Sequence, residues 1–178
     1  MDLCGASVSD AKSRRFTEWS RREPSDIDGQ VARPGERERA SQTPYNSLEM
    51  SVIGTGVDLV ECERIQRSID RFGDRFLHRV FTDGEIEYSM SMKFPARHLA
   101  ARFAAKEAVS KAFGTGIGKA MGWRNIDIQK KPSGEPFLVL SGPAEELATK
   151  RGVTAALVTL SHTEHHAVAC VFLEGVPS

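Results

Sequence analysis

Hydrophobic positions are sparse before Met50 and dense after it, and the change is abrupt. Residues 1–49 include KSRRFTEWSRREPSDIDGQVARPGERERASQTP, which mixes charges of both signs with few aliphatics and sustains neither a period of 2 nor one of 3.6. Such a segment buries too little apolar surface to offset the entropy of ordering, so the pattern predicts a disordered N-terminal extension. It lacks the apolar run of a secretory signal, and its many acids argue against an organelle transit peptide. Met50 is itself a candidate translation start, which would make the residues before it a mis-assigned stretch.

From residue 50 to 178 the pattern predicts one domain. SVIGTGVDL reads as a buried strand that carries two glycines and ends at Asp58, where a side chain can leave the sheet edge. Ile65, Ile69, Phe72 and Phe76 follow at helical spacing, with Gly73 breaking the run into two pieces. Thr82, with Glu85 three residues on, predicts a capping box and a short helix. Pro95 suits a first helical turn and Gly114 the position just past a helix end, so the spacing predicts a central helix between them. RNIDIQKK, PFLVL, AALVTLSH and AVACVFLE read as strands, with a helix at PAEELATKR between the second and third. The fold class is α+β, one long central helix packed on a mainly antiparallel sheet.

Composition narrows the partners. The 24 basic residues balance 24 acidic ones, so no overall field draws the chain to nucleic acid or a membrane, and a charged partner must meet a local patch. Cys4, Cys62 and Cys170 form neither a disulfide framework nor a C-x-x-C metal site, which favours a reducing, cytoplasmic setting. No apolar run approaches the roughly 20 residues that span a bilayer.

The candidate chemistry centres on FAAKEAVSKAFGTG, residues 103–116. Ala101, Ala104, Ala105, Ala108 and Ala112 let a neighbouring element come close, while Glu107 and Lys111, at i and i+4, share one face. Alone, that pair is an ordinary surface ion pair worth a few tenths of a kcal/mol. Asp58 alone suits a turn or helix cap, and His162 a hydrogen-bonded structural role. Together, however, Asp58 and Glu107 are two carboxylates from different elements, the donor set with which Mg²⁺ also holds phosphate oxygens. The glycine-rich Gly114, Thr115 and Gly116 can bring backbone N–H groups close to a phosphate.

GVDLVECERI, RFAAKEAVSKAFGTG, PSGEPFL and LSHTEHHAVA occur in an order and spacing that resembles the holo-[acyl-carrier-protein] synthase family of 4'-phosphopantetheinyl transferases, over residues 51 to about 174. The family offers no counterpart to residues 1–49. The resemblance implies a 4'-phosphopantetheinyl transferase-like fold and transfer of the phosphopantetheine arm of coenzyme A to a serine of an acyl carrier protein. Adenosine 3',5'-bisphosphate is released, in support of fatty acid biosynthesis. It implies Asp58 and Glu107 as Mg²⁺ ligands and Asp58, Glu107 and Lys111 as the catalytic set, Lys111 contacting a phosphate. Arg102, Lys111, Gly114, Thr115, Gly116 and His162 are the implied coenzyme A contacts, and a homotrimer with sites between subunits is the implied assembly. The implied acceptor of the serine proton is either Glu107 directly or a metal-bound water oriented by Asp58, and the sequence does not choose between them. Arg64, Arg67 and Arg71, at i, i+3 and i+7, form a basic stripe that the resemblance assigns to docking the acidic carrier. A coenzyme A binding module and a metal-dependent phosphoesterase are the alternative readings.

Overall fold

The computed structural model of the protein describes residues 51–175. The expected disorder of residues 1–49 lies outside the described residues. The elements run β1 (Ser51–Glu61), α1 (Cys62–Phe72), α2 (Asp74–Val80), α3 (Asp83–Met90), α4 (Pro95–Ala112), a 3-10 turn (Trp123–Asn125), β2 (Ile126–Lys130), β3 (Pro136–Leu140), α5 (Pro143–Lys150), β4 (Val153–His162) and β5 (His166–Gly175). The domain is α+β, with its antiparallel pairing divided between a three-stranded sheet, β1-β5-β4, and a separate β2–β3 hairpin.

Local signals set the helix boundaries. Gly73 adopts φ 53, a left-handed value that suits glycine, and separates α1 from α2. The Thr82 hydroxyl accepts the Glu85 N–H while the Glu85 carboxylate accepts the Thr82 N–H at 2.9 Å, completing the capping box of α3. Pro95 opens α4, and Gly114 lies just beyond its end at φ 62.

Helix α4 is the centre of the core rather than a one-sided surface helix: Leu99, Ala100, Ala104, Ala105, Ala108 and Val109 are all fully buried. Its alanines leave room for β1 to lie almost against the helix backbone. A Cβ at Gly56 would stand 1.9 Å from the Ala108 carbonyl oxygen, and one at Gly54 2.5 Å from that of Ala112, so only glycine fits either position. Strand β1 also departs from expectation. It continues through Leu59, Val60 and Glu61 along β5, which leaves Asp58 inside the strand, opposite Ala169, and not at its end. The outer face of the sheet carries Val57, Leu59, Leu157 and Phe172, each about half exposed.

Candidate active site

Side chains alternate along a strand, so Gly54, Gly56 and Asp58 share the face of β1 turned to α4. The close glycine contact therefore delivers the Asp58 carboxylate to the edge of the helix. There the Lys111 ammonium lies 2.8 Å from Asp58 Oδ1 and also donates to the Val57 carbonyl at 3.0 Å. The Asp58 side chain is 16% exposed and that of Lys111 51%, so the lysine end of the pair faces solvent while the aspartate is largely buried.

Glu107 lies one turn before Lys111 on the same face. Burial, and next the negative charge of Asp58, push its carboxyl above the usual range, against the opposing pull of Lys111, Arg64 and the Ser110 hydroxyl. The two carboxylates thus feel each other across the β1–α4 contact, and a divalent cation would relieve that repulsion. Among the described residues no three His, Cys, Asp or Glu side chains gather as a metal cluster. Two carboxylates without further protein ligands fit Mg²⁺, which keeps waters and substrate phosphates in its shell, better than a two-metal hydrolytic centre.

A second cluster occupies a different side of α4. Arg102 is buried, its guanidinium stacked 4.2 Å from the Tyr88 ring centre. Its Nε has no hydrogen-bond partner. The His162 ring, at the end of β4, meets His98 edge to face at 5.0 Å. With Tyr88 and Lys130 these residues line a cleft of about 220 Å³. Burial, and then the charges of His162, Arg102, Lys130 and Arg97, push the His98 imidazole down. A cleft lined by basic groups, with a buried donor unpaired, suits an anion.

The remaining expected residues lie on exposed surface. Gly114, Thr115 and Gly116 form the loop after α4, with Gly114 and Gly116 both at positive φ and the Thr115 N–H bonded to the Ser110 carbonyl. Arg64, Arg67 and Arg71 are all exposed on α1; Arg67 lies 3.7 Å from Glu63, and Arg71 lies over the half-exposed Phe72 ring. Arg64 also acts electrostatically on Glu107, so the basic helix borders the carboxylate pair.

Within one chain the expected site residues therefore form two groups, Asp58–Glu107–Lys111 and Arg102–His162, rather than one pocket. Helical geometry gives the reason: Glu107 lies five positions after Arg102, which turns their side chains about 140° apart. Sequence reasoning missed His98, Tyr88 and Lys130, whose weak signals were isolated positions, and also the buried pair Lys106–Glu85. Lys106 left one trace: a lysine placed among the alanines of α4.

The model of the 4'-phosphopantetheinyl transferase superfamily matches residues 54–171. The chain belongs to that superfamily. It is therefore an enzyme, a transferase, and its curated relatives are holo-[acyl-carrier-protein] synthases. That of Koribacter versatilis is 46% identical over 123 residues, covering 69% of this chain and 98% of the relative. That of Syntrophus aciditrophicus is 45% identical over 125 residues, covering 70% and 98%. Among solved structures, the holo-[acyl-carrier-protein] synthase of Neisseria meningitidis superposes with a TM-score of 0.65 at 33% identity, over 69% of this chain and 98% of that one. The Helicobacter pylori synthase, in complex with coenzyme A, gives 0.60 at 31% identity over 67% and 98%.

Proposed function

We propose that this phosphopantetheinyl transferase moves the 4'-phosphopantetheine arm of coenzyme A to a serine of an apo acyl carrier protein, with Mg²⁺ as cofactor, releasing adenosine 3',5'-bisphosphate and serving fatty acid biosynthesis. The observation that carries the reading is the Lys111–Asp58 bond across the β1–α4 contact, which sets Asp58 of β1 near the face of α4 that carries Glu107 one turn before Lys111.

The serine Oγ–phosphorus bond forms as the bond from that phosphorus to the bridging pyrophosphate oxygen breaks. The electron pair leaves on the adenosine 3',5'-bisphosphate, and the serine proton passes to a base. Glu107 is one candidate to take it, and a water oriented by Asp58 is the other. Mg²⁺ held by Asp58 and Glu107 would supply positive charge to the pyrophosphate and align it for in-line attack. Half-exposed Lys111 can swing from Asp58 to a phosphate oxygen. Arg102 and His162 suit the nucleotide and its 3'-phosphate, together with the loop of Gly114, Thr115 and Gly116, in which the Gly114 and Thr115 N–H groups are bonded to the Lys111 and Ser110 carbonyls and that of Gly116 is left for a phosphate.

The separation of the two groups supports a homotrimer in which one subunit's carboxylates work beside another subunit's Arg102 and His162. The apolar outer face of the sheet, with Val57, Leu59, Leu157 and Phe172, is the surface such an assembly would cover. The exposed stripe of Arg64, Arg67 and Arg71 beside Glu107 supports docking of an acidic carrier. A cytoplasmic setting suits the free thiols of Cys62 and Cys170. Neither nucleic acid nor membrane enters this reading; among the described residues no helix is long and apolar enough to cross a membrane.

The test is to incubate the protein with Mg²⁺, coenzyme A and an apo acyl carrier protein and then weigh the carrier. A gain equal to one phosphopantetheine arm is expected. An unchanged carrier would contradict the reading, with hydrolysed coenzyme A pointing to a phosphoesterase and intact bound coenzyme A to a binding module.

A further inference from the structure

Lys106 is the neighbour of Glu107 in sequence, yet its side chain is completely buried on another side of α4. Its ammonium lies 2.8 Å from Glu85 Oε2, donates to the Trp123 carbonyl at 2.8 Å, and donates to the Ile126 carbonyl. The three donors of the ammonium thus have three acceptors. Glu85, also buried, accepts the Thr82 N–H in the capping box and the Ile128 N–H at 3.0 Å. The pair ties together α4, the start of α3, the 3-10 turn and β2.

A buried ion pair is a poor source of net stability, because desolvating both charges offsets most of their attraction. What this pair does fix is geometry. The chain leaves α4 at Phe113, runs through Gly114–Gly118, and returns at the turn Trp123–Asn125. One foot of that excursion is covalently continuous with α4. The other is held to the same helix by Lys106, through the carbonyls of Trp123 and Ile126. Between the feet, backbone bonds are few: Gly114 N–H to Lys111, Thr115 N–H to Ser110, and a reciprocal Gly118–Met121 pair.

We infer that the buried Lys106–Glu85 pair is a positioning element that anchors the far foot of the glycine loop to α4 and so sets the N–H groups of Gly116 and Ile117, which make no backbone bond, for the phosphates of coenzyme A. This rests on the function proposed above. Lys106 touches no substrate in this account; it acts through the loop.

The test compares Lys106→Met with Leu77→Ala, a truncation of the buried α2 core, by hydrogen exchange and by steady-state kinetics. In Lys106→Met, amides of residues 114–118 should exchange at least tenfold faster at a temperature well below melting. The KM for coenzyme A should rise about tenfold, with kcat and the carrier KM within about twofold of wild type. Leu77→Ala should lower the melting temperature without either change. If Lys106→Met fails to fold, Glu85→Gln/Lys106→Met, which removes both buried charges together, takes its place. Unchanged loop exchange, or loop exchange and KM matching Leu77→Ala, would overturn the inference. An inactive wild type would instead refute the proposed function, and the exchange measurement would still judge the anchor.

Discussion

The Lys111 ammonium lies 2.8 Å from the Asp58 carboxylate, joining residues 53 apart in the chain. This bond crosses the contact at which glycines of β1 meet alanines of α4, and Glu107 lies one turn away. Packing and chemistry therefore share one interface: whatever sets the distance between strand and helix also sets the distance between the carboxylates.

That dependence is testable at Gly56. A methyl there would collide with the Ala108 carbonyl, so Gly56→Ala should force β1 away from α4 and lower stability by about 3 kcal/mol, the upper range for overpacking. Activity should fall further than stability at temperatures where the variant remains folded, because Asp58 moves with the strand. Thermal melts and initial rates check this; an unchanged melting temperature would mean the contact is looser than described.

The arginine stripe gives a second expectation. Arg64→Glu/Arg71→Glu should raise the KM for the carrier at least tenfold and weaken the salt dependence of association, with little effect on coenzyme A binding. Kinetics at several ionic strengths would show it. A carrier KM and salt dependence at wild-type values in the folded variant would place docking elsewhere.

If sites are shared between subunits, defects in the two groups should complement. Glu107→Gln and Arg102→Ala should each be nearly inactive alone, while subunits of the two co-expressed should regain a readily measured fraction of wild-type turnover. Mixed assemblies without recovered activity would return all the residues to one chain's site.

Protons test the basic cleft. His98 is pushed down from its ordinary value near 6.5, so in acid the unfolded chain takes up a proton that the folded chain resists. Its contribution is fully present above about pH 6.5 and is lost as pH falls through the lowered folded value. Wild type should therefore lose melting temperature relative to His98→Phe as pH falls from about 7 to 5. Parallel curves would show that the His98 environment does not disfavour its charge.

Much of this was legible because the signals are local. Gly73, the Thr82–Glu85 capping box, Pro95 and Gly114 act within a turn of themselves, and the elements fall where they predict. The glycines and alanines flagged close packing, but not which strand meets which turn. The course of β1 past Asp58 was not readable, because pairing with β5, more than a hundred residues later, sustains it. The division of Arg102 from Glu107 needed the helix to be surrounded before its sides had meaning. Lys106 was hidden for the same reason: a lysine among alanines ordinarily reaches for solvent, and only Glu85 and two carbonyls from distant segments make its burial tolerable.

Asp58 and Glu107 are proposed to hold together the Mg²⁺ on which transfer depends. The most direct test is the rate of carrier modification across a Mg²⁺ titration, for wild type and Glu107→Gln side by side. The amide keeps the volume and removes the charge. Wild type should show saturable Mg²⁺ dependence and the variant a loss of at least a hundredfold, with the fold retained. Near-normal turnover by Glu107→Gln at ordinary Mg²⁺ would contradict that role.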